Sequence, residues 1–159
     1  MSTGRSARTV VWALYAMSRP DQLALISLVY ALGSAIALAR GVAFDVADAG
    51  AGLLALLLVS ASVHYANEYA DYFADYLAIR TPFSGGSGAL QRTGAPRSLA
   101  LHGGVVAFLS GGLFAFVCLV HGYPVAALLV LLLIAAFGWA YSLGPALAWR
   151  GLGELDNAA

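Results

Sequence analysis

The sequence contains no lysine, a single cysteine (Cys118), and very little charge: eight arginines against eight aspartates and glutamates in 159 residues. Each scarcity excludes something. A disordered chain needs high charge and low hydrophobicity. A zero net charge lacks the basic footprint of a nucleic-acid binder. One cysteine makes neither an internal disulfide nor a thiolate metal site. What is abundant is apolar: 61% of residues are hydrophobic and 10% charged, against about 45–50% and about 25% in soluble domains. The class left is an integral membrane protein with an all-α, multi-span helical bundle.

Four uncharged runs carry that reading: residues 22–39, 49–67, 98–120 and 122–149. A bilayer core of ~30 Å needs about 20 helical residues, so each is a candidate span. Leu and Ala dominate them, as helices favour. The expected spans are 21–40, 48–76, 98–120 and 124–144, within a single membrane domain over 1–159. A cleaved leader does not fit, because the first apolar run starts late and similar runs follow.

The arginines give direction. Arg5, Arg8 and Arg19 precede the first span, Arg80, Arg92 and Arg97 follow the second, and Arg150 follows the fourth. Only Arg40 falls on the other side. Arginine marks the inner face, so the N-terminus and the loop 77–97 are expected in the cytoplasm, in a multi-pass protein of the cell (inner) membrane. That loop is long for a helical bundle and is itself a functional candidate. Gly144 and Pro145 should end or bend the fourth span.

Glu68, Asp71 and Asp75 place three of the eight acids within eight positions of the second span. With Asn67 at zero on a helical wheel, Ser60 falls near about 20°, Asp71 about 40°, His64 about 60° and Asp75 about 80°. Tyr65, Tyr69, Tyr72 and Tyr76 fall at roughly 140–200°, on another face. Glu68, at about 100°, borders the polar stripe and fits either role. Carboxylates at this depth face a cavity or a partner. Asp71 and Asp75 are one turn apart, with β-carbons about 5–6 Å from each other. No arginine on the same helix face neutralises them, so their natural partner is a divalent cation. Mg²⁺ takes oxygen ligands, commonly one or two carboxylates with substrate phosphates. His64 reads as a hydrogen-bonded core residue rather than a ligand, and Cys118 as packing.

The loop reads Arg80-Thr81-Pro82-Phe83-Ser84-Gly85-Gly86-Ser87-Gly88 and runs on to Arg92. Three glycines and two serines let backbone N–H groups converge on an anion. Flanking Arg80 and Arg92 offer bidentate forks for phosphate oxygens. With no lysine it is not a P-loop. Arg19-Pro20-Asp21 opens the first span with a helix-start pattern. The pairs Gly103-Gly104 and Gly111-Gly112 read as close helix packing.

Taken together, these residues resemble a family. Asn67-Glu68-Tyr69-Ala70-Asp71 continuing to Asp75 is similar to the N-x-x-x-D-x-x-x-D motif of the UbiA-type membrane prenyltransferases. The wording is closest to the menaquinone-type, 1,4-dihydroxy-2-naphthoate polyprenyltransferase branch. Tyr141-Ser142-Leu143-Gly144-Pro145 and Arg150-Gly151-Leu152-Gly153-Glu154 resemble a later signature of that branch, and Arg19-Pro20 its opening.

The resemblance implies a fold of about nine spans, of which this chain is similar to the first half. It implies Mg²⁺-dependent transfer of a polyprenyl group from a prenyl diphosphate to an aromatic acceptor, a naphthoate in that branch, within quinone or lipid biosynthesis. On that scheme Asn67, Asp71 and Asp75 hold Mg²⁺. Asn67, Arg19, Arg80, Arg92 and Arg150 hold the diphosphate, and Asp71, Asp75 and Tyr141 serve catalysis. The family's second aspartate motif lies beyond Ala159, so the chain is expected to be inactive without a C-terminal half. The alternatives are an inactive remnant or assembly half, and a small membrane transporter. The transporter would need a polar stripe through the whole bilayer.

Overall fold

The computed structural model describes residues 6–77 and 86–143. Among them the chain is all-helical, without a strand. The helices are α1 (Ala7–Met17), α2 (Pro20–Ala39), α3 (Val46–Ala70), α4 (Tyr72–Leu77), α5 (Ala89–Thr93), α6 (Ser98–Val120) and α7 (Val125–Ser142). Four of these, α2, α3, α6 and α7, are long and apolar enough to cross a membrane. Their number is that of the expected spans.

The ends follow from local chemistry. Pro20 opens α2 with Asp21 in its first turn, a combination that suits the missing N–H of proline and the positive end of the helix dipole. The Asp45 side chain caps α3 by accepting from the Asp48 amide at 2.9 Å. α7 stops at Ser142, with Leu143 extended. One boundary departs from expectation. The second span does not run unbroken to residue 76: α3 ends at Ala70, Asp71 forms the join, and α4 continues beyond it. The Asp75 amide still bonds the Asp71 carbonyl at 2.8 Å, so the chain keeps its helical course across the join.

α3 is the centre of the bundle, lying along α6 and against α7, while α2 touches chiefly α3. The interface is built from small residues: Ala55, Ser62 and Ala66 on α3, and Gly104, Gly111 and Ala115 on α6, all buried. Within hydrocarbon no hydrophobic force draws helices together, so close backbone approach and polar contacts must do it. A β-carbon at Gly111 would sit 3.1 Å from Val59 Cγ2. One at Gly112 would meet nothing within 4 Å. The packing reading thus holds for Gly111 rather than Gly112, and for both Gly103 and Gly104, whose β-carbons would stand 3.2 Å from Leu14 Cδ2 and 3.3 Å from the Ser62 carbonyl oxygen. The Trp139 indole N–H adds a bond to Ser62 Oγ at 3.2 Å. The large apolar side chains left uncovered, such as Leu28 and Leu32 on α2, Leu109 and Leu113 on α6, and Leu133 on α7, form a surface that suits acyl chains rather than water.

Two helices lie where the sequence suggested none. The N-terminal segment forms α1, with Val10, Ala13, Leu14 and Met17 on its inner face at helical spacing. The loop 77–97 contains α5, flanked by Gly88 and Gly94 at φ 66° and 61°, the left-handed region where glycine carries no steric penalty. Ala13, Met17, Ala89, Leu90, Ala95 and Ala100 make a small core against which Tyr65, Tyr69 and Tyr72 pack. Three residues of the tyrosine face, Tyr65, Tyr69 and Tyr72, are therefore partly covered by α1 and α5, while Tyr76 stays exposed. At the opposite end Tyr123 donates to Asp48 Oδ1 at 2.8 Å, and that bond to a carboxylate pushes its phenol up to about 12.

Candidate functional site

The polar groups gather at the end of the bundle where α3 finishes. Glu68 is the best-buried of them, 3% exposed. Its Oε1 accepts from Arg19 Nη2 at 3.0 Å, Arg19 Nε at 3.3 Å and the Ser87 amide at 2.6 Å. Its Oε2 accepts from Ser87 Oγ at 2.8 Å. Arg19 reaches this position because it takes a left-handed turn, φ 52°, between α1 and α2. A buried carboxylate without a partner is costly; here a guanidinium and a serine supply four donor contacts. The neutralising arginine missing from the stripe's own helix face comes from another segment.

Arg19 extends the network. Its Nη2 also donates to Asn67 Oδ1 at 2.9 Å. Asn67 Nδ2 in turn donates to Asp71 Oδ2 at 2.6 Å and to Ser142 Oγ at 3.1 Å. One continuous chain of bonds thus links Ser87, Glu68, Arg19, Asn67, Asp71 and Ser142, drawn from four separate segments. Burial pushes the Asp71 carboxyl above the usual range, opposed by the Asn67 bond and by the charge of Arg19. His64 bonds the Ser18 carbonyl through Nδ1 at 2.7 Å, the core role expected of it.

Gly86 brings Asp75 to the same place. A β-carbon on Gly86 would overlap the Asp75 carboxylate and stand 3.3 Å from Glu68 Oε1, so the loop backbone lies against both acids. Its φ is 61°. Gly94 has the same φ with open space around it, which provides a control. Gly94→Ala should cost about 1–2 kcal/mol, the left-handed penalty of an L-residue. Gly86→Ala should cost clearly more, because the methyl also displaces a carboxylate. Thermal unfolding in detergent checks the ordering, and equal losses would remove Gly86 from the site.

The expected site residues divide. Arg19, Asn67 and Asp71 are joined directly, and Asp75 adjoins them through Gly86. Arg92 lies behind the loop: its Nη2 donates to the Ser87 carbonyl at 2.7 Å and its guanidinium stacks 5.1 Å from the Trp12 ring. Tyr141 is half-buried, and its neighbour Ser142 is the α7 residue bonded to Asn67. Arg80 and Arg150 lie outside the described residues, as do Gly144, Pro145 and the 151–154 signature. Sequence reasoning missed the roles of Glu68, Ser87 and Ser142. Only the wheel position of Glu68 and the Gly/Ser run around Ser87 hinted at them. Arg97 also binds here, donating through Nε to the Tyr69 carbonyl at 2.6 Å and stacking 3.9 Å from the Tyr69 ring.

Among the described residues no group of three His, Cys, Asp or Glu side chains is arranged to hold a metal ion. Asn67 turns its oxygen to Arg19 and its NH₂ to Asp71, so in this arrangement it orients Asp71 rather than presenting a ligand. The carboxylates expected to meet a cation are those of Asp71, which already accepts from Asn67, and Asp75. That pair is too few for a protein-only cage, but it suits an ion such as Mg²⁺ that completes its shell with water and phosphate. Comparison with protein-family models, curated proteins and solved structures gives no match.

Proposed function

We propose that this end of the bundle is the diphosphate-holding site of a UbiA-type prenyltransferase, in which Asp71 and Asp75 would hold Mg²⁺ against a prenyl diphosphate. The observation that supports this reading most is the joining of Arg19, Asn67 and Asp71 at one end of an otherwise apolar bundle. Bound magnesium would neutralise the charge that builds on diphosphate as the allylic carbon–oxygen bond breaks. Asn67 holds the Asp71 carboxylate in place through Nδ2. Arg19 stands beside it as the positive group for phosphate oxygens, fixed in position by Glu68. The apolar helices would take the prenyl tail and keep water from the reactive carbon. An aromatic acceptor, with a naphthoate as first choice, follows from the sequence resemblance alone. Alternation of the spans along the sequence would put seven of the eight arginines on this side, and on that count the site would open to the cytoplasm.

Calorimetry on the whole chain in lipid nanodiscs tests this. Prenyl diphosphate should bind at least tenfold more tightly with Mg²⁺ than with a chelator, a difference of about 1.4 kcal/mol. Asp71→Asn should erase that gain while leaving the helix content intact. Binding that ignores Mg²⁺ in the native chain would overturn the reading.

A further inference from the structure

We propose that the outer face of α1 is a lipid-docking surface, seated at the polar–apolar boundary of the bilayer on the arginine-rich end of the bundle. The inference is independent of the function argued above. α1 has two apolar faces. The inner one, around Ala13 and Met17, is fully covered by the protein. The outer one carries Arg8, Val11, Trp12 and Tyr15 at helical spacing, and the last three are 65%, 40% and 61% exposed. Aromatic and aliphatic side chains so placed have a hydration cost that some partner must remove.

Position identifies the partner. α2, which has no buried residue and leaves Leu25, Leu28, Val29 and Leu32 exposed, begins at Pro20, with only Ser18 and Arg19 between it and the end of α1. Leu14 rests against Gly103, close to the start of α6. α1 is therefore held beside the ends of two spans, at the depth of the headgroup boundary. Trp and Tyr concentrate at that depth, where a ring meets both acyl chain and water. The charge agrees as well. Arg8 is exposed on the same face, and exposed Arg92 stacks on Trp12. Positive groups flanking an apolar strip fit anionic headgroups, as in helices that lie in the membrane plane. A lipid-held α1 also steadies what packs on its inner side, namely α5 and the turn that sets Arg19.

The test uses the full chain in phosphatidylcholine nanodiscs, with Cys118→Ser to remove the native thiol. Nitroxides are attached at Val11→Cys and, separately, Tyr15→Cys, two exposed sites whose labelling does not disturb the core. A reference label at Leu28→Cys reports the lipid-facing side of α2. At positions 11 and 15 collision with oxygen should exceed collision with a soluble nickel chelate, as at position 28. Adding phosphatidylglycerol should raise that oxygen-to-chelate ratio further, about twofold, as Arg8 engages the headgroups. Chelate-dominated collisions would show a water-facing helix and overturn the proposal. Labels reached by neither reagent would show a second copy or another protein on this face, and would overturn it equally. A ratio insensitive to phosphatidylglycerol would overturn the role given to Arg8.

Discussion

Glu68→Ala should unfold this protein far more readily than its single carboxylate suggests. Removing one partner of a buried ion pair leaves the other charge uncompensated, at about 3–5 kcal/mol. Here the stranded group is Arg19, 21% exposed, whose remaining side-chain bond among the described residues is the one to Asn67. The Ser87 amide and hydroxyl lose their acceptor in the same step, so the loop loses its hydrogen bonds to α3 at Ser87. Glu68→Gln should cost less, because an amide oxygen in the Oε1 place still accepts from Arg19 and the Ser87 amide, while the charge and the acceptor of the Ser87 hydroxyl are lost. The difference reflects how much a charged acceptor adds to a hydrogen bond, on the order of 1 kcal/mol. Arg19→Ala combined with Glu68→Ala should be less damaging than the two single losses added, since both remove the same pair. Unfolding midpoints in detergent for the four variants measure these differences. A loss below about 1 kcal/mol for Glu68→Ala, the scale of a solvent-screened surface pair, would show that the network is not what holds this end together.

That network also marks the boundary of what the sequence discloses. The four spans are legible because an uncharged run of membrane length has few other uses, and their bounds hold to within a few residues except at Asp71. The stripe is legible in part: Asn67 and Asp71, four apart, do meet. The pairing of Arg19 with Glu68 is not, because 48 residues separate them and nothing local to either specifies the contact. It depends on α1 and α2 turning at a left-handed Arg19, a conformation no propensity would assign to arginine. α1 itself was hidden by its second apolar face. Val11, Trp12 and Tyr15 blur the periodicity that Val10, Ala13 and Met17 would otherwise show. For Gly111 and Gly112, composition announces close packing but not which of the two faces the neighbour. That is set by how α6 is rotated about its own axis, which is a property of the assembled bundle.

This rotation is open to direct test. Gly111→Leu should destabilise the protein by about 3 kcal/mol or more, at or above the upper end of the usual overpacking range. The obstacle is backbone as well as side chain. A β-carbon there stands 3.1 Å from Leu58 Cβ and Val59 Cγ2 and 3.3 Å from the Val59 amide nitrogen, so leucine must force α3 and α6 apart. Gly112→Leu, one residue on, meets open space. It should be neutral or slightly stabilising, because leucine is the better helix former by up to about 1 kcal/mol. In the same unfolding assay, then, one of two adjacent positions should show a large loss and the other none. If Gly112→Leu proves the harmful change instead, α6 is turned by about 100° from the arrangement described. The buried face made by Gly104, Gly111 and Ala115 would then look outward. The contacts that α3 makes with α6 and α7 together would have to be redrawn, including the bond from Asn67 to Ser142 that fixes Asp71.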